Sequence, residues 1–91
     1  MSNMTGMDIE QVEQLGTDLF HQADMIQQVI ASLDRLVEHS QVIWKGQDAT
    51  QFADWWRSQH RGHLQQVHDS VHGLGQAAKN NANEQRQVSG H

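Results

Sequence analysis

Val42-Ile43-Trp44-Lys45-Gly46-Gln47-Asp48-Ala49 stands near the middle of a 91-residue chain, with long stretches of helical apolar spacing on both sides. The chain holds no proline, so neither stretch meets an obligatory helix breaker. A tryptophan, a glycine two residues later, and then Gln47-Asp48-Ala49 leading into Phe52 and Trp56 read as a bend between two helices. Trp44 is expected to plug the apolar interior there. Gly46 lets the backbone reverse, because a residue without Cβ enters conformations that other side chains resist. Asp48 lies where a carboxylate stabilises the first turn of the next helix.

Before the bend, Asp8 and Gln11 have the spacing of a capping box. A seven-residue repeat follows. One seam position holds Val12, Leu19, Ile26 and Leu33; the other holds Gly16, Ala23, Ile30, Val37 and Trp44. Leu15, Val29 and Leu36 widen the stripe beyond that of a two-stranded zipper. A helix over about 8–42 would be roughly 50 Å long. After the bend, Ala49, Phe52, Trp56, His60, Leu64, Val67, Val71, Leu74 and Ala78 step by three or four. Gly62, Gly73 and Gly75 weaken that second helix by about 1 kcal/mol each relative to alanine, and Gly73 is where it would break. The run Lys79–Gln87 is polar all round and is expected to fray. The reading is therefore all-α: one helical-hairpin domain over 1–91, with a mobile start over 1–7, helix 1 about 8–42, bend 43–47, helix 2 about 48–83 and a flexible tail 84–91.

Core material is thin. Leu, Ile, Val and Phe supply 19 of 91 residues, close to the level at which chains stay disordered. Two helices alone bury one stripe each, so burial of a second face against a partner chain is expected. Charge is uneven. Residues 1–43 carry seven acids against Arg35, residues 47–91 carry four acids and four bases, and Lys45 brings the net to −5. An acidic chain without a basic stripe excludes nucleic acid as the expected partner and argues against anionic membrane surfaces. No stretch is apolar enough to insert in a membrane. The first residues have neither the basic start nor the apolar run of a cleavable signal peptide.

Chemistry finds little support. There is no cysteine, hence no disulfide framework and no thiolate nucleophile or metal ligand. Ser32, Ser40, Ser58 and Ser70 lack the strained elbow of a serine nucleophile, phosphate-binding loops are absent, and Asp18, Asp24, Asp34 and Glu38 read as a solvated face. No catalytic residue and no cofactor is assigned. His68 and His72 are spaced to hold a metal between them, but a stable site needs further ligands, and Asp69 projects away from His68; no metal is assigned either. The histidines of helix 2 could instead sense pH beside the seam, or be surface residues without a role. Trp55 and Trp56 point about 100° apart. Trp56 follows the stripe, which leaves Trp55 for a partner or flat against its own helix.

On Trp44-Lys45-Gly46, with Ala49, Phe52 and Trp56 behind it and an amphipathic helix on either side, the sequence resembles the WXG family. These are the small, early-secreted-antigen-like helical hairpins of bacterial type VII (ESX-like) secretion. The resemblance covers nearly the whole chain as architecture but few residues as sequence. It implies a non-enzymatic hairpin that pairs with itself or a family paralogue into a four-helix bundle, with Leu19, Ile26, Ile30, Leu33, Val67, Val71 and Leu74 holding the bundle within and across chains. It further implies synthesis in the cytoplasm and export, without a cleavable signal, by a machine with an FtsK-type ATPase. The family's second motif, Tyr-x-x-x-Asp/Glu, is missing, since the chain has no tyrosine; Asn80 and Glu84 keep the acid at its spacing as a degenerate signal. Either the partner carries the signal or a homodimer uses another determinant. A different role on the same fold is an adaptor or chaperone that binds the helical targeting domain of a larger toxin. A regulatory dimer outside secretion is a further alternative.

Overall fold

A computed structural model describes residues 6–89. Helix α1 (Ile9–Ile43) is followed by α2 (Gln47–Trp55), a π turn (Trp56–His60) and α3 (Arg61–Ser89), and no strand occurs among the described residues. Contacts group these elements into two units. One is Asp24–Asp69, which contains the bend; the other joins Met1–Ala23 with Ser70–His91. Within each, α1 and the chain beyond the bend are antiparallel, so the fold class is the all-α helical hairpin that the spacing predicts. The expectations for the extreme ends reach into 1–5 and 90–91, which lie outside the described residues.

Helix α1 starts where Asp8 accepts the Gln11 N–H at 3.1 Å, satisfying one free donor of the first turn. At the other end, Lys45 Nζ donates to the Gln41 carbonyl at 3.0 Å, placing a cation on the last unpaired carbonyls. The bend itself is Trp44-Lys45-Gly46. Gly46 has φ +111° and ψ −177°, a conformation open in practice to glycine alone. Asp48 lies in the first turn of α2 and makes no capping hydrogen bond, so it acts there through its charge. Across the bend, Gln41 Nε2 donates to the Ala49 carbonyl at 2.9 Å.

Trp44 does not plug the interior. It is 42% exposed, although its N–H still bonds the Ser40 carbonyl at 2.9 Å as α1 ends. Ala49 and Ala53 are buried at this end of the unit instead. The stripe expected beyond the bend is also displaced: Phe52, His60, Val67 and Leu74 are exposed, whereas Ala53 and Gly75 are buried and Arg61 and His68 half-buried. Ala53 displaces Phe52 ahead of the π turn, as the smaller residue at a close approach of backbones. Beyond Trp56 the cause is the π turn, in which the Arg61 N–H bonds the Trp56 carbonyl five residues back. One residue is thereby inserted into the helical count.

In the other unit, α3 runs unbroken through Gly73, and Gly75 marks a close approach. A Cβ there would lie 2.8 Å from Phe20 Cδ1 and 3.1 Å from the Gly16 carbonyl oxygen. The two backbones meet through these glycines. Nor does the helix end near 83: α3 runs to Ser89. Its polar surface hides Ala82, which is 0% exposed, and Arg86 donates to both carboxylate oxygens of Glu13, at 2.9 and 3.2 Å.

These backbones make distinct demands on substitution, which thermal and denaturant unfolding followed by far-ultraviolet circular dichroism will read. Gly46→Ala is expected to cost about 1–3 kcal/mol through backbone strain, although no atom lies within 4 Å of the added Cβ. Gly75→Ala is expected to cost about 1–3 kcal/mol by overpacking. Gly73→Ala, which meets nothing within 4 Å, is expected to gain up to about 1 kcal/mol.

Candidate functional site: the bend and the exposed apolar faces

Three aromatic side chains gather at the bend. The Trp44 and Phe52 rings lie 5.4 Å apart between centroids, tilted by 50°. Trp55, one turn further along α2, joins them with Asp48 and Gln51 to line an open groove of about 510 Å³. On its other side the Trp55 ring meets His60 edge-on at 4.7 Å, across the π turn. Trp55 is 59% exposed, as its angle to Trp56 predicts. A groove this open and aromatic suits the side chains of another polypeptide better than an enclosed small molecule.

A second surface lies on α1. Met25, Gln28, Val29, Ser32 and Leu33 line a depression of about 330 Å³. Residues 25, 28, 29 and 32 have the i, i+3, i+4, i+7 spacing of a hole that receives a knob from a facing helix. Val29 is 52% exposed and Leu36, two turns on, 63%. Against this the interior is meagre: among the described residues Ile30 is the one large side chain that is fully buried.

The polar cross-links sit on a third line of α1. Asp34, read above as part of a solvated face, accepts the Trp56 Nε1–H at 2.9 Å, Arg61 Nε–H at 3.0 Å and Arg61 Nη2–H at 3.1 Å. The Arg61 bonds, and then the indole bond, hold its carboxyl below the ordinary aspartate value of 3.8. In the other unit the hydrogen bond from Arg86 likewise lowers Glu13 from 4.5. Both arginines are raised in turn by their carboxylates. Carboxyls held ionised this way are structural anions and poor proton donors near neutral pH. The missed signal was spacing: Glu13, Phe20, Gln27, Asp34 and Gln41 recur every seven residues beside the buried line.

The histidines take individual places. His68 Nδ1 lies 2.9 Å from Asp69 Oδ1, closer than their angular separation led us to expect, and within reach of Gln65. His72 stacks on Phe20 at 4.8 Å. No group of three or more His, Asp or Glu side chains among the described residues could hold a metal ion. Of the remaining seam residues, Leu19, Ile26, Leu33 and Val71 are half-buried, Val67 and Leu74 exposed. Asn80 and Glu84 are both exposed on α3, with Asn80 accepting from Gln76 at 3.0 Å.

Residues 5–88 match the family model described as proteins of 100 residues with WXG. The chain belongs to the WXG100 family. The match takes in Trp44 and Gly46, both helices and nearly the whole described chain. WXG100 proteins are small secreted helical proteins of type VII secretion, a non-enzymatic family. No described helix of this WXG100 chain is long and apolar enough to cross a membrane. No curated protein and no solved structure matches it.

The depressed carboxyls fix the sign of a pH effect. A lowered folded-state pKa contributes stability above the unfolded value and loses it as pH falls through the folded one. The stability difference between wild type and Asp34→Asn should therefore be full at neutral pH and shrink below about pH 4. Urea midpoints measured down the pH scale will check it, with a modest effect expected because the pair is partly exposed.

Proposed function

We propose that this WXG100 protein is a non-enzymatic substrate of a bacterial type VII secretion system, exported from the cytoplasm as a folded hairpin paired with a second hairpin. The observation that carries the reading is the unpartnered apolar face of α1 around Met25, Val29 and Leu36. Such a face on a chain with so little interior is the natural seat of another amphipathic helix. The partner is a second copy or a family paralogue, completing a four-helix bundle. The secretion ATPase of FtsK type then engages the assembled pair. Asn80 and Glu84 are the remnant of an export motif, so the complete determinant lies on the partner or elsewhere in the tail.

The aromatic groove at Trp44, Phe52 and Trp55 supports a second reading, in which the hairpin escorts a larger toxin by binding its helical targeting domain. Light scattering on the purified 10.4 kDa chain is expected to give twice that mass, and Val29→Glu with Leu36→Glu to return it to one while helicity persists. A wild-type monomer that pairs only when a paralogue is co-expressed assigns the heterodimer. A monomer indifferent to every paralogue, but captured by the targeting domain of a toxin, assigns the escort. In cells, removal of the FtsK-type ATPase should abolish appearance of the protein outside.

A further inference from the structure

The helix beyond the bend can be wound in two registers. In an uninterrupted α-helix, residues i and i+4 stand about 40° apart and i and i+5 about 140° apart. With Trp56 turned towards α1, an α-helix would carry His60 inward with it, and then His63 and Val67. That is the winding an unbroken helix takes. Within Asp24–Asp69 the structure takes the other. The π turn, closed by the Arg61 N–H on the Trp56 carbonyl, brings Trp56 and Arg61 to one face. Leu64, Gln65 and His68 follow half-buried, while His60 and Val67 point outward.

A π turn is rare and its hydrogen bonds are poorly placed, so something must favour it over the plain α-helix. Within Asp24–Asp69, Asp34 is the group that distinguishes the two. Its carboxylate receives Trp56 Nε1–H at 2.9 Å and both the Nε–H and Nη2–H of Arg61, at 3.0 and 3.1 Å. Charge-assisted bonds of this forked kind are directional and hold both donors to one geometry. Arg61 could not remain on that face in the α register. Nothing comparable would replace it, since His60 would arrive where Asp34 now holds a guanidinium. Val37, Glu38 and Arg57 complete the lining of this cleft of about 260 Å³.

We propose that Asp34 sets the helical register: by holding Trp56 and Arg61 together it selects the π turn, and without it the helix rewinds to α and turns His60 and Val67 inward. The register decides what the start of α3 shows to another molecule. In the π form the outward face carries Val67 among His60, His63 and Gln66; in the α form Arg61, Gln65 and His68 take its place. A partner that covers Val67 therefore stabilises the π form, and one that offers a carboxylate to Arg61 stabilises the α form.

Scalar couplings across hydrogen bonds, measured on the isotope-labelled full chain, distinguish the registers directly. Wild type is expected to couple the Arg61 nitrogen to the Trp56 carbonyl carbon, and Asp34→Ala to couple it to that of Arg57. Retention of the Trp56 coupling in Asp34→Ala overturns the proposal, as does its absence from wild type. Should Asp34→Ala fail to fold, deletion of Gln59 decides the matter. Gln59 is exposed in the π turn, and its removal leaves Trp56 and the arginine four apart in a plain α-helix. The shortened chain should keep the Trp56 indole resonance where wild type has it and melt at or above the wild-type temperature. Loss of that resonance position with a lower melting temperature would mean that the turn holds no spare residue, and the register argument fails.

Discussion

Close approach of two helix backbones is the constraint on which this hairpin rests. In one unit the contact runs through Gly16 and Gly75, where even a methyl group would collide; in the other, the buried residues of α2 are Ala49 and Ala53. Small side chains bring main chains together and gain dispersion contacts along them. They hide little apolar surface in doing so, and apart from Ile30 and Val37 the bulky side chains of both helices are left on the flanks. Thin interior and greasy exterior are thus two results of one choice of residue size. The apolar flanks left by such a seam are what the proposed pairing rests on.

What fixes the alignment of the helices is a different set of residues. Glu13, Phe20, Gln27, Asp34 and Gln41 lie seven apart on α1, and each reaches the helix opposite within its own unit: Arg86, Gly75 and His72, Gln65, then Arg61 with Trp56, then the Ala49 carbonyl. Hydrogen bonds and partly exposed ion pairs add little net stability. Their weight lies in what a slipped alignment would leave unpaired. Apolar packing tolerates sliding by a turn; a fork on one carboxylate does not.

The helices, the bend and their antiparallel pairing were legible because the seven-residue repeat, the missing proline and the Trp-x-Gly corner all make the same demand. The facing of the second helix was not. Phe52 and Ala53 both satisfy a three-to-four spacing, and hydrophobicity favours Phe52, yet a seam of touching backbones admits the smaller residue. Beyond Trp56 the same preference chose Val67 over His68, since no periodicity announces an inserted residue. Asp34 was misplaced because a carboxylate amid other acids looks solvated, although its seven-residue kinship with Gln27 and Gln41 could have marked it. The polar stretch after Ala78 concealed the buried methyl of Ala82. Trp44 continues the seven-residue line and still stands outside, because the buried line of α1 ends at Val37.

All three tryptophans, Trp44, Trp55 and Trp56, fall within Asp24–Asp69, and the chain has no tyrosine. Intrinsic fluorescence therefore speaks for that half of the molecule alone, while the unit holding Phe20 is optically silent above the phenylalanine band. A melting curve followed by emission and one followed by backbone ellipticity are measurements of different material, and a gap between their midpoints would be anatomy, not error.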